Sequence, residues 1–170
     1  HWAFSKPAST VVPEVHDRSW VKNPIDAFVL AKLEAVNLQP AARADKIALI
    51  RRATYDLTGL PPTTQQVDEF LADTREDAYE RMIDRLLDTK QYGEKWASHW
   101  LDVVRYAETN GYERDSRKEL IWKYRDYVIR SLNEDKPYDR FIEEQIAGDE
   151  LPDGTEDSMI ATGYYRLGIW

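Results

Sequence analysis

The sequence contains no cysteine. Within this segment that excludes a disulfide scaffold, a thiol nucleophile, thiolate zinc sites and covalent haem attachment, so no cofactor is expected here. Glycine is scarce, at 7 of 170 residues. Phosphate-cradling loops need more of it, and no G-x-G-x-x-G, Walker loop, G-x-S-x-G elbow or H-E-x-x-H is present. No stretch approaches the ~18 consecutive apolar residues of a membrane span, so membrane insertion is not expected. A basic excess is missing as well: 31 acids outnumber 23 bases, the net charge is -8 and the pI is about 5.0. Phosphate backbones and anionic membranes bind through clustered Lys and Arg, and here the two signs interleave, so nucleic acid is not an expected partner. No secretory leader is visible. His1 stands where an initiator methionine would, which reads as a segment processed or excised from a larger protein.

What is present describes a folding chain. With 42% hydrophobic and 32% charged residues, the composition is that of a globular domain. A chain of this length buries roughly two thirds of the surface its unfolded form exposes and needs no staple. Six Trp and 10 Tyr are a heavy aromatic load. Rings with a polar tip serve cores, interfaces and sugar-binding surfaces alike, so the count does not choose among them.

Along the chain, residues 1–22 lack a helical period and read as an extended arm packing on the domain, with Trp2, Phe4 and Trp20 as anchors and a short extended piece at Val11-Val12. Residues 23–170 read as a single helical domain. Asn23, Pro24 and Asp26 form a helix start, with Ile25, Phe28, Leu33 and Val36 on one face. Residues 45–57 form a second helix with Ile47, Ile50, Ala53 and Leu57 inward, stopped by Gly59 and the prolines after it. Thr63 with Gln66, and Thr74 with Asp77, open two more helices, the latter with a stripe of Tyr79, Met82, Ile83, Leu86 and Leu87. Further helices are expected over 94–108, 120–133 and about 137–147, and the segment 158–166 has helical character too. The expected fold is all-α: an irregular bundle of about seven helices with an extended N-terminal arm.

Three places offer chemistry. On the 94–108 helix, His99 with Asp102 one turn on reads either as a partly buried histidine bonded to a neighbour or as a metal ligand or proton carrier. Zinc needs two more ligands, and His1 and His16 lie in the arm, so no metal is assigned. The helix then runs into a polar loop, Glu108 to Arg117, with a turn at Asn110-Gly111 that favours positive φ. Trp122, Arg125 and Asp126 follow on a helix that folds back. Arg105, Asn110, Tyr112, Trp122 and Arg125 suit hydrogen bonding to a hydroxyl-rich ligand beside an aromatic platform. Glu108, Glu113 and Asp115 are the acid/base candidates of a hydrolase reading. The bland alternative is a solvated ion-pair loop joining two helices. Lastly, the acidic turn 149–157 offers oxygens to calcium but lacks EF-hand spacing, which favours an exposed turn.

These residues resemble one family. The run from Asn23 to Leu33, Asp56-Leu57-Thr58-Gly59-Leu60-Pro61-Pro62-Thr63, His99-Trp100-Leu101-Asp102, Arg105-Tyr106-Ala107, the segment Asn110 to Asp115, Tyr124-Arg125-Asp126-Tyr127 and Ala147-Gly148-Asp149-Glu150-Leu151 are similar, in order, to an uncharacterised domain of planctomycete-type proteins that often carry a cytochrome-c-like module. His1-Trp2-Ala3-Phe4 resembles its usual start. Val104, where Ala is expected, and Lys118, where Pro is common, depart from the pattern. The resemblance implies a large exported protein, hence an extracytoplasmic location, with a haem module upstream and another uncharacterised domain downstream. It implies no activity and no catalytic residues.

The expected function is a binding or interaction module that docks a polysaccharide or a neighbouring domain through the 105–126 surface. Two alternatives stand beside it: part of a composite active site using the carboxylates near 108–115, and a structural spacer in a haem-containing assembly. Burial separates the first two. Partly buried carboxylates in a concave pocket favour the enzyme, and a flat patch of exposed rings favours binding.

Overall fold

Asn23 caps the first helix, α1 (Pro24–Ala35), as its sequence predicts: its side chain accepts from the Asp26 N–H, and Asp26 returns a bond to the Asn23 N–H. The computed structural model describes residues 1–168, the side chains of Trp2 and Arg114 excepted. The chain groups into two compact units, residues 1–44 and 45–170. In the first, α1 turns Ala27 and Leu30 inward, while Ile25 and Val36 are exposed. The expected apolar face is therefore rotated. Glu34, on the partly buried side, accepts from the backbone N–H groups of His16 and Asp17 and lies 3.0 Å from His16 Nδ1. Carboxylate-to-backbone bonds tie this part of the arm to α1. Phe4 is 90% exposed, and the Trp2 side chain lies outside the described residues.

The second unit carries α2 (Lys46–Thr58), α3 (Thr64–Ala72), α4 (Ala78–Leu87), α5 (Lys90–Val103), α6 (Trp122–Asn133), α7 (Tyr138–Ala147) and α8 (Glu156–Ala161). With α1 that makes eight α-helices and no strand among the described residues. The all-α expectation holds. Gly59 ends α2 in the left-handed region at φ 72°, and Thr63 with Gln66 forms the capping box of α3. Ile50 and Ala53 are buried as expected; Ile47 is exposed. Buried Thr54 and Thr58 complete the inner face, bonding back to the carbonyls of Ile50 and Thr54. The pairing of Thr74 with Asp77 does not cap α4. Asp73 instead takes the Arg75 N–H and guanidinium at 3.1 and 2.6 Å, folding this stretch as a turn.

Two apolar clusters form the core. Ile50, Phe70, Met82 and Leu86 join α2, α3 and α4. Ala97, Tyr124, Tyr127, Val128, Phe141 and Ala161 join α5 to α8. Helix α5 packs most extensively on α6 and also meets α2, so it links the two clusters. The α5–α6 approach is close because Gly93 has no side chain: a Cβ there would lie 2.5 Å from Asn133 Cγ, whose Oδ1 accepts the Gly93 N–H. A latch of polar tips lies within the second cluster. Trp100 Nε1 donates to Tyr124 Oη at 2.9 Å, and Tyr124 donates to Gln145 Oε1 at 2.6 Å. Burial pushes the Tyr124 phenol up to about 12.

Candidate functional site

Helix α5 ends five residues before the sequence suggests. Tyr106 N–H bonds to Leu101 O and Arg105 N–H to Asp102 O, with Arg105 at φ 57°. This is a Schellman cap, normally closed by glycine. Asn37 after α1 and Asp135 after α6 occupy the same place at φ 55° and 50°. Asn and Asp tolerate that region; arginine does so less readily. The early stop takes Tyr106 and Glu108 off the helix and starts a separate loop.

That loop is pinned across its neck. Lys118 N–H bonds to Glu108 O at 2.8 Å, Asn110 N–H bonds to Ser116 O at 3.0 Å, and Thr109 pairs with Arg117 in one antiparallel bridge. Gly111 takes φ 71°, as the Asn-Gly turn requires, and Tyr112 follows at φ 55° into a 3-10 turn. Asn110 Nδ2 donates to Ser116 Oγ at 2.7 Å, while Asn110 Oδ1 is buried with no hydrogen-bond partner. Asp115 Oδ1 accepts the Gly111 N–H at 3.0 Å. The Thr109 hydroxyl and that N–H hold its carboxyl below the usual range.

Beside the loop, α6 supplies a charged cluster. Arg125 donates from Nε and Nη2 to Asp126 Oδ1 at 3.0 and 2.9 Å, and its Nη1 lies 3.5 Å from Glu108 Oε1. The bond to Asp126 raises the guanidinium further. Tyr106 lies near these groups, and sequence reasoning missed its part in the site. Its hydroxyl is buried and unpartnered among the described residues. Burial raises its pKa, with Glu108 and Asp126 adding and Arg125 opposing. Glu108 is close enough to perturb the phenol without making a well-formed hydrogen bond. The signal for Tyr106 was the helix end, which no glycine marks.

The candidate residues sort by environment. Glu108 and Arg125 are brought together. Tyr112 is 80% exposed and Trp122 44% exposed. Glu113 and Asp115 are exposed, Asp115 as a clamp within its own loop. Arg105 makes no ion pair among the described residues and lines a cleft of about 470 Å³ with Trp100, Gln145, Tyr164 and Tyr165. His99 is neither buried nor hydrogen-bonded; it is exposed, with its ring 5.4 Å from that of Trp96. Both line a mostly apolar cleft of about 430 Å³ with Trp100, Tyr138 and Phe141. Among the described residues no group of three or more His, Asp or Glu is arranged to hold a metal ion. In the acidic turn, Asp153 pairs with Arg140 at 3.1 Å and Asp157 with Arg130 at 2.6 Å. Thr155 and Ser158 form the capping box of α8. No described helix is long and apolar enough to cross a membrane.

The fold is that of an all-helical domain in which Tyr112 and Trp122 are exposed and Glu108 is paired with Arg125. Residues 24–170 match the family described as PSCyt2, Protein of unknown function (DUF1549), and the chain belongs to it. No curated protein and no solved structure matches the chain.

Proposed function

We propose that this chain is a recognition module of a larger exported protein, and that it binds a hydroxyl-rich polymer such as a polysaccharide through the face carrying Tyr112, Trp122 and Arg125. One observation carries the reading: both rings are exposed, while Glu108 stands in an ion pair with Arg125 and Asp115 clamps its own loop. An exposed ring covers the apolar face of a sugar, and charged or amide groups around it bond the hydroxyls. General acid catalysis needs a carboxyl held above its usual range. Asp115 is held below it. A neighbouring domain of the same protein is the other partner this face suits.

A second reading has one observation in its favour. The buried, unpartnered Tyr106 hydroxyl beside Glu108 and Arg125 suits a composite active site completed by another domain. A spacer role in a haem-containing assembly rests on resemblance alone. Affinity electrophoresis in soluble polysaccharides, combined with a reducing-end assay, separates recognition from hydrolysis. Recognition predicts retarded migration, no release of reducing ends, and affinity changed less than about threefold in the Glu113→Ala/Asp115→Ala double variant, as for surface changes. Release of reducing ends that the double variant abolishes would establish the catalytic reading instead.

A further inference from the structure

Lys118 closes the neck of the loop through its backbone N–H, and its side chain is only 9% exposed. The ammonium donates to Gly168 O at 3.1 Å and lies 3.5 Å from Leu167 O. An ammonium has three donors, so among the described residues one is left over. No carboxylate pairs with Lys118 among the described residues. Two carbonyls offset only part of the cost of withdrawing a full charge from water. Burial, and then the charge of Arg166, lowers its pKa.

Lys118 lines a cleft of about 560 Å³ whose apolar walls come from Leu120, Ile121, Met159 and Ile160. Lys123 and Arg166 line it too, and Glu119 is the single carboxylate there. The two lysines set against that one acid leave the lining positive among the described residues. Apolar walls would strengthen a charge interaction made against them. The volume lies within the roughly 300–1,000 Å³ usual for small-molecule sites.

We propose that this cleft binds an organic carboxylate with an apolar body, its anionic head set against Lys118. The spare donor and uncompensated charge of Lys118 recognise the head, because charge-assisted bonds are the strong ones. The apolar walls cover the body. A compact, fully hydrated anion such as phosphate meets the charge but gains nothing from the walls, and a neutral amphiphile meets only the walls. None of Tyr112, Trp122 and Arg125 lines this cleft, so either assignment can fail without the other.

The test is calorimetric titration of the chain with octanoate, octanol and inorganic phosphate, alongside NMR observation of the Lys118 side-chain Cε resonance. Octanoate is expected to bind at one site, at least about tenfold more tightly than octanol or phosphate, the worth of one charge-assisted bond. It should also move the Lys118 resonance. Lys118→Met should weaken octanoate by at least about tenfold, and Lys123→Gln, a change on a less buried residue, by a smaller factor. Equal affinity for octanoate and octanol, or a Lys118 resonance in the unsubstituted chain that octanoate does not move, would overturn the proposal even if Lys118→Met does not fold.

Discussion

At the scale of the residue, Glu144 shows how much depends on partners that are distant in sequence. It is 4% exposed and takes three donors at once: Tyr127 Oη at 2.8 Å, Lys136 Nζ at 2.5 Å and Arg140 Nε at 2.9 Å. Burial alone would raise its pKa, but the bonds from Lys136, Tyr127 and Arg140 outweigh it and the net shift is downward. Burial and the bond to Glu144 drive the Tyr127 phenol well above its usual range. The sign for stability follows. A carboxyl whose folded pKa is depressed adds stability that is fully present above its ordinary value of 4.5 and is lost as pH falls through the folded value. Glu144→Gln should therefore flatten the acid limb of a denaturation-versus-pH profile. Because it strands Lys136, which is only partly exposed, while Arg140 keeps its pair with Asp153, it should also cost roughly 2–3 kcal/mol at neutral pH, below the 3–5 typical of a fully buried pair. An acid limb unchanged by the substitution would contradict this role. Nothing at sequence level distinguished Glu144 from the exposed Glu143 beside it except its place on the inner face of α7.

At the scale of the element, helix ends that announce themselves chemically are legible, and α6 and α7 also fall within two residues of their expected bounds. Asn23-Pro24, Gly59 and Thr63 with Gln66 end or begin helices through residues whose side chains or φ values do the capping, and each was read correctly. The end of α5 was not, because Arg105 occupies the position where glycine would have signalled it. On α5, Trp96 is exposed while Ala97 is buried in the cluster that joins α5 to α8. Close approach decides one position. Gly148 follows α7, and a Cβ there would stand 1.9 Å from Ser158 O and 2.3 Å from Glu144 O. Ser158 Oγ also bonds Gly148 O at 2.8 Å. Backbone oxygens have no rotamer through which to yield, so Gly148→Ala should separate α7 from α8 and cost at least about 2 kcal/mol, as overpacking does. Urea denaturation measures this; a change under about 0.5 kcal/mol, the usual size for a surface substitution, would show that the junction yields easily.

At the scale of the whole molecule, composition and pattern point to the all-α class, and the ordered motifs point to an uncharacterised domain family. They did not give the site's geometry. Whether Glu108, Glu113 and Asp115 form a pocket or a surface depends on where α5 stops and how the loop is pinned, and both are backbone events. With those in place, the loop displays Tyr112 outward, while α6 exposes Trp122 and sets Arg125 between two carboxylates. Recognition of a hydroxyl-rich partner accounts for this arrangement better than acid–base chemistry does. The measurement that tests it most directly is a glycan-array and soluble-polysaccharide binding screen of the chain beside its Trp122→Ala variant. The account predicts binding to at least one glycan class, reduced about tenfold or more in the variant, the usual worth of a stacked ring. Binding that Trp122→Ala leaves intact, or the absence of binding to any glycan, would contradict a glycan-recognising aromatic face.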